Sequence, residues 1–426
     1  MRVFKFGGAS VKDAEAVRNV ANILQNYKGE QLVIVVSAMG KMTNALERVA
    51  DAYYQKADEA QARLEEVCQA HYAVLKALFE ANDPIFDAVN DTLVEIEWVL
   101  EETPEESYDY IYDQVVSIGE FLSTRILSAY LNKVELPTTW LDARDVILTD
   151  NTYRAAKVRW EATVKNANRV VSPLLEKGFV LTQGFVGGTS ENFTTTLGRE
   201  GSDFTAAIFS YCLDAESMSV WKDVPGILTA NPRIFKNVTK IDHLSYREAI
   251  EMTYYGAKVI HPKTIKPLQN KNIPMYVKSF VEPTGEGTLI SGDTYVHYPP
   301  IIVVEREQVL LHISTRNFSF VAEDNLSVIF AALAKHQLKV NMMQNTAISF
   351  SVCLTNRPER IAALMEDLSE DFQITKQDNL ELITVRHYKP EVVEQLKINK
   401  LILLEAYIRD MIQMVVKDLP ELERIS

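Results

Sequence analysis

The sequence predicts an α/β protein, a parallel sheet covered by helices, followed by a smaller α+β region. Leu32–Val36 is an unbroken apolar, largely β-branched run, the pattern of a strand buried on both faces of a parallel sheet. Before it come a short strand at 3–6, a Gly7-Gly8 turn and an amphipathic helix at 13–27, which together make a βαβ opening. After the turn-rich segment Glu282-Pro283-Thr284-Gly285-Glu286-Gly287 the rhythm changes to strand, helix, strand, strand, helix, strand, a ferredoxin-like unit.

The elements between these points follow in order. Residues 43–131 are helical in pattern, with stop signals at Asn82-Asp83-Pro84 and Thr103-Pro104. Strands are expected at 135–140 and 178–182, with a helix ending at Lys177-Gly178 between them. A helix at 202–213, starting at Ser202-Asp203, leads to a strand at 217–221, helices at 245–255 and 262–270, and a last strand at 274–279. The first domain then spans 1–285. Beyond it, strands are expected at 309–314, 338–343, 347–354 and 380–388, with helices at 324–336 and 358–368. Residues 380–388, 400–406 and 411–416 repeat the first three strands of that unit around a shortened helix at 391–396. The tail therefore reads as a full unit over 300–378 and an abbreviated copy over 379–426.

Composition bounds the partners. The 426 residues are 47% hydrophobic and 24% charged, a globular balance for two or three domains. A net charge of −14 argues against nucleic acid or an anionic membrane as main partner, because both require a positive field. Cys68, Cys212 and Cys353 are scattered without metal-ligand spacing and read as packed, reduced thiols. The N-terminus has no signal-peptide core and no apolar run is long enough to span a bilayer, so a cytoplasmic protein is expected.

Two stretches carry chemistry. Lys5-Phe6-Gly7-Gly8-Ala9-Ser10 ends a strand and approaches a helix; two adjacent glycines let backbone N–H groups come close to a phosphate, and Lys5 can reach a transferring phosphoryl group. The spacing is neither a Walker loop nor a dinucleotide fingerprint, and a glycine pair by itself is more often structural. The second stretch runs from Thr182-Gln183-Gly184-Phe185 to Thr194-Thr195-Thr196-Leu197-Gly198-Arg199-Glu200-Gly201-Ser202-Asp203. It joins a strand to a helix start, where free amide donors face the loop, and Arg199 offers a planar fork for a carboxylate.

Together these stretches resemble the two signatures of the aspartokinases. Ser37-Ala38-Met39-Gly40, Ser117-Ile118-Gly119-Glu120, Trp221-Lys222-Asp223-Val224-Pro225-Gly226-Ile227 and Tyr255-Gly256-Ala257-Lys258-Val259-Ile260-His261-Pro262 match further pieces in the family's order. The helical stretch before Glu120 resembles the family's insert, and the tail resembles a pair of ACT regulatory modules. The resemblance implies a three-layer amino-acid-kinase fold and transfer of the γ-phosphoryl group of MgATP to the β-carboxylate of L-aspartate. An acceptor carboxylate with a pKa of about 3.9 needs no general base, so the catalyst is a set of cations and donors.

By the same resemblance Lys5, Asp203 and Lys258 are catalytic. ATP is bound by Lys5, Gly7, Gly8, Ser10, Ser37, Lys222, Asp223, Leu228, Arg233 and Lys258. Arg199 grips the substrate α-carboxylate and Glu120 its ammonium, with Thr43, Phe185, Gly201 and Ser202 completing the pocket. Asp203 orients Lys5 or assists Mg²⁺, and no metal ligand set is assigned. Four positions depart from the family pattern: Ala9 for Thr, Glu200 for Gly, Leu228 for Tyr and Asn231 for Asp. In the tail, Asn325, Asn341, Met342, Gln344 and Asn345 match effector positions, for lysine or threonine, and a homodimer through the ACT region is expected. A glutamate or acetylglutamate kinase of the same fold is the nearest rival, and a non-catalytic amino-acid sensor the next; the insert and the retained charges count against them.

Overall fold

The computed structural model describes residues 1–101, 104–257, 260–293, 297–316 and 320–419. The chain forms two compact units: Met1–Ile227, Lys240–Ile250 and Val259–Thr294 make the first, and Leu228–Thr239, Glu251–Lys258 and Tyr295–Ser426 the second.

The first unit opens with β1 (Arg2–Phe6), α1 (Ala14–Gln25) and β2 (Leu32–Val36). The Asp13 side chain caps α1 by accepting from the Ala16 N–H. Five helices fill the helical stretch: α2 (Met42–Tyr54), α3 (Ala60–Leu78), α4 (Ile85–Glu101), α5 (Tyr108–Val116) and α6 (Ile118–Lys133). The expected stop at Asn82-Asp83-Pro84 falls between α3 and α4; Thr103 lies outside the described residues. Next come β3 (Thr138–Leu141), α7 (Trp160–Leu175), β4 (Phe179–Gln183), β5 (Val186–Gly188), β6 (Thr194–Thr196), α8 (Gly201–Cys212) and β7 (Ser217–Lys222). The run ends with β8 (His243–Ser245), α9 (Tyr246–Tyr254), α10 (Pro262–Asn270), β9 (Met275–Ser279) and β10 (Thr288–Ser291).

Eight strands form one sheet in the order β3-β4-β2-β1-β7-β9-β10-β8, parallel except where β10 runs against β9. Alternation divides it into layers. Phe4, Phe6, Leu32, Ile34, Val36, Phe179 and Leu181 join the buried cluster supplied by the helices α1 to α6. Val3, Val33, Val35, Val180 and Val220 are buried on the other face, where α8 packs on β1, β2 and β7. Helix layers on both faces are what an all-apolar central strand requires. The β1, β2, β4 and β7 strands all end on one edge, and their loops build the site there.

Residues 274–279 are not the last strand. The turn-rich segment 282–287 joins β9 to β10, with Gly287 at φ +77, so it closes a hairpin inside the first unit instead of separating domains. Gly, Pro and Thr mark a chain reversal, and reversal alone does not distinguish a hairpin from a linker.

The second unit contains β11 (Ile301–Thr315), α11 (Glu323–Lys335), β12 (Val340–Asn345), β13 (Ser349–Thr355), α12 (Pro358–Asp367), β14 (Phe372–Arg386), α13 (Pro390–Lys397), β15 (Lys400–Ile408) and β16 (Met411–Asp418). They make one antiparallel sheet ordered β12-β13-β11-β14-β16-β15. Here the expected strands at 309–314 and 380–388 were too short. Each is half of a 15-residue strand broken by a register shift, with Glu307 at φ +57 and Asn379 at φ +59. Residues 372–377 pair with 310–315 and complete the first ferredoxin-like unit. Residues 380–386 pair with β16 and with 301–305, so the second unit takes its fourth strand from upstream of the first. A repeat search along the chain misses a strand supplied out of order. Cys68, Cys212 and Cys353 are buried and free. Among the described residues no helix is long and apolar enough to cross a membrane.

Candidate active site

The ends of β1 and β7, the loops leaving β2 and β4 and the starts of α2, α6 and α8 line a cavity of about 700 Å³. It gathers Lys5, Ser37, Thr43, Glu120, Phe185, Arg199, Gly201, Ser202, Asp203 and Lys222, ten of the residues singled out in the sequence. All lie in the first unit.

Lys5 projects from β1 between Val35 of β2 and Val220 of β7, on the face that α8 covers. Its ammonium lies 2.7 Å from Asp203 Oδ1 in the first turn of α8, with both side chains almost out of water (11% and 6% exposed). Burial works to raise the Asp203 carboxyl, but the charges of Lys5 and Lys222 outweigh it and hold the group below the usual carboxylate range. The helix start adds to the effect.

The glycine turn has a second purpose besides exposing amides. A Cβ at Gly8 would stand 2.7 Å from the Ala38 carbonyl oxygen and 2.8 Å from that of Gly40. The turn after β1 therefore packs directly on the loop after β2, tied by the Gly40 N–H donating to the Gly8 oxygen at 3.0 Å. Ser10 Oγ is buried here without a hydrogen-bond partner.

Glu120, in the first turn of α6, is 2% exposed, and its Oε2 has no hydrogen-bond partner. Burial pushes its carboxyl up to about 8, against the backbone N–H groups of Ala38 and Glu120 and the charge of Lys5. Such an oxygen suits an incoming ammonium. Arg199 is exposed on the cavity wall with no carboxylate in ion-pair range among the described residues.

α8 starts at Gly201, one residue before the expected Ser202. Glu200 holds the cap position in the left-handed region, at φ 56 and ψ 26, and no side chain caps the helix. The free N–H groups are thereby left facing the cavity. Glycine at 201 is steric, because a Cβ there would meet Phe185 Cδ2 at 2.7 Å. Phe185 itself sits at φ 68, its N–H donating to Thr205 Oγ1 at 2.9 Å.

Other assigned residues fall elsewhere. Gly7, Gly8 and Ser10 form the turn after β1, and Asp223 follows β7 directly. Leu228 and Arg233 belong to the second unit, and Lys258 lies outside the described residues. Asn231 accepts the Arg233 N–H at 3.0 Å, the turn role an Asp would fill. Among the tail residues, Asn341 donates to Gln308 Oε1 (2.8 Å) and Thr355 Oγ1 (2.9 Å) at the irregularity in β12, whereas Gln344 and Asn345 are exposed. Asn325 donates to the Phe320 carbonyl at 3.0 Å, and Met342 is buried. Asn44, Glu47, Tyr112 and Arg154 also line the cavity and carried no sequence signal.

The model of the amino acid kinase family matches residues 1–279. Lysine-sensitive aspartokinase 3 of Escherichia coli (strain K12) is 33% identical over 355 residues, which cover 83% of this chain and 78% of that protein. The chain belongs to the aspartokinase family. It is an aspartate kinase, an enzyme that uses ATP to phosphorylate aspartate. Aspartokinase 1, chloroplastic, of Arabidopsis thaliana is 32% identical over 83% of this chain, which spans 63% of that longer aspartokinase. The crystal structure of E. coli aspartokinase III in complex with aspartate and ADP (R-state) superposes with a TM-score of 0.82 at 28% identity, covering 98% of this chain and 96% of that one.

Proposed function

We propose that the cavity performs direct in-line transfer of the γ-phosphoryl group of ATP to the β-carboxylate of L-aspartate. Lys5 and the Gly7-Gly8 amides steady the transferring group, with Lys222 on the nucleotide phosphates. Ser10, Ser37 and Asp223 complete the nucleotide end. Arg199 holds the substrate α-carboxylate and Glu120 its ammonium, between Thr43, Phe185, Gly201 and Ser202. The observation that carries the reading is the neighbourhood, in one cavity, of a buried Lys5–Asp203 pair, a Glu120 oxygen without a hydrogen-bond partner and an Arg199 without a carboxylate partner among the described residues. Bringing two anions together is the difficulty of the reaction, and cations aimed at the meeting point lower it. A fixed carboxylate (Glu120) and a fixed guanidinium (Arg199), presented by this cavity, select an α-amino acid.

The donor set also suits Mg²⁺, which takes one or two carboxylates besides nucleotide phosphates; Asp203 would hold it. When bound with the nucleotide, the ion neutralises phosphate charge. The second unit serves as an ACT-type regulatory region that pairs with a second copy. Support comes from its exposed Val328, Phe330, Met343 and Ile348, an apolar set around the edge strand β12. Lysine is the effector we favour, because the E. coli relative is named lysine-sensitive.

An acyl-phosphate assay with MgATP tests the substrate. Turnover with aspartate and none with glutamate supports the reading, and turnover with glutamate alone would overturn it. Titrating lysine and threonine separately should lower the aspartate rate with lysine only.

A further inference from the structure

Asp113 is fully buried on α5 within the helical insert and is not among the residues that line the cavity. One of its oxygens accepts from Thr196 Oγ1 at 2.6 Å; the other accepts from the Thr196 N–H at 2.8 Å and the Arg154 N–H at 2.9 Å. The donors come from two segments distant in sequence. Thr196 ends β6, three residues before Arg199. Arg154 sits in the connection between β3 and α7, at φ 63, and lines the cavity. The two segments touch, since the Ala156 N–H donates to the Thr196 oxygen at 3.0 Å and a Cβ at Gly198 would lie 3.1 Å from the Arg154 oxygen. The neighbouring Gln114 adds a bond to the Thr194 oxygen at 2.9 Å.

We infer that Asp113 is a positioning residue for the aspartate subsite, clasping in one carboxylate the strand that delivers Arg199 and the turn that delivers Arg154. The inference rests on the assignment of Arg199 to the substrate. Simple packing does not call for an acid here: a buried carboxylate is costly unless its lone pairs are filled, and three donors converge to fill them. Burial pushes this carboxyl up to about 6, opposed by those same bonds, so at neutral pH it is ionised and accepts from all three. The cavity face of Arg154 is set by the same clasp, its guanidinium lying 4.4 Å from the Tyr112 ring centroid and 3.3 Å from Asp109. With the clasp closed, both walls stand ready before aspartate arrives. With it open, substrate must order them, and that cost enters the KM for aspartate. Lys5, Asp203 and Lys222 hang on other elements, so transfer and the nucleotide end are spared.

Steady-state kinetics of the full chain test this. Asp113→Asn turns an amide N–H₂ toward backbone donors and should raise KM for aspartate about tenfold, the scale of one hydrogen bond to a charge. Its kcat at saturating aspartate and its KM for ATP should stay within about twofold of the parent, on the same scale. Thr196→Val should give a smaller rise, and Thr196→Ser, which restores the hydroxyl, should reverse it. If Asp113→Asn does not fold, Thr196→Val carries the test. A parental KM for aspartate in the variant tested, or a joint shift of kcat and both KM values, overturns the inference. Arg199→Ala separates the two claims: if it too leaves KM for aspartate unchanged, the subsite reading fails and takes the clasp with it.

Discussion

The Lys5 ammonium lies 2.7 Å from the Asp203 carboxylate, tying the end of β1 to the first turn of α8 inside the cavity. Each ion is the other's nearest compensation. Removing one leaves the other buried and unpaired, at a cost of about 3–5 kcal/mol. Asp203→Asn should therefore lose stability on that scale as well as activity. Asp203 is held below the usual carboxylate range, so its stabilising contribution is present above the ordinary Asp pKa and lost as pH falls through the lowered one. Urea denaturation at pH 7 and below pH 3 should accordingly show the difference between parent and Asp203→Asn shrinking in acid.

Glu120 predicts a pH dependence of the opposite sign. With its carboxyl pushed up to about 8 by burial, the group is mostly protonated at pH 7 and must ionise to meet the substrate ammonium. KM for aspartate should fall as pH rises from 6.5 to 8.5, by up to about tenfold per unit. Glu120→Gln should bind aspartate weakly with a flat profile over that range. A raised folded pKa also means that Glu120 costs stability as pH rises from its unfolded value toward 8. The Gln variant should then gain most over the parent near pH 8, read from melting temperatures in a pH series.

Glu200 sits left-handed at the N-terminus of α8, on the cavity wall. Glycine there would relieve roughly 1 kcal/mol of backbone strain but lose a similar amount to unfolded-chain entropy. Stability should change little. Removing an exposed carboxylate near the phosphates should instead lower KM for ATP by about threefold, the scale of a solvent-screened charge interaction. Initial rates with Glu200→Gly across an ATP series check this.

The sequence was most informative where one constraint acted on one segment. Leu32–Val36 is the doubly buried strand its apolar run predicts, and the Asn82-Asp83-Pro84 break falls where local chemistry put it. Lys5, Glu120, Arg199 and Asp203 were found because they stand in recognisable runs, and the fold brings them to one edge of the sheet. What local reading missed depends on distant partners. Asp113 looked like any helix-surface acid, since its three donors lie more than 40 residues away. Arg154, Glu47 and Tyr112 reach the cavity only through tertiary packing. The 301–305 strand completes a unit that begins 75 residues later, which no period along the chain reveals. The 282–287 turn was read for its residue types, although its role is fixed by the strand pairing on either side.

The central claim is that Lys5 stabilises the phosphoryl group in flight to aspartate. Lys5→Met keeps the length and apolar stem of the side chain and removes only the charge. The decisive measurement is kcat for ATP-dependent β-aspartyl phosphate formation, trapped with hydroxylamine, at saturating MgATP and aspartate. We expect Lys5→Met to lower it by about 10²–10³, the range for loss of one transition-state charge contact. A kcat equal to the parent's, in a variant that still folds and still binds ATP, would contradict the account.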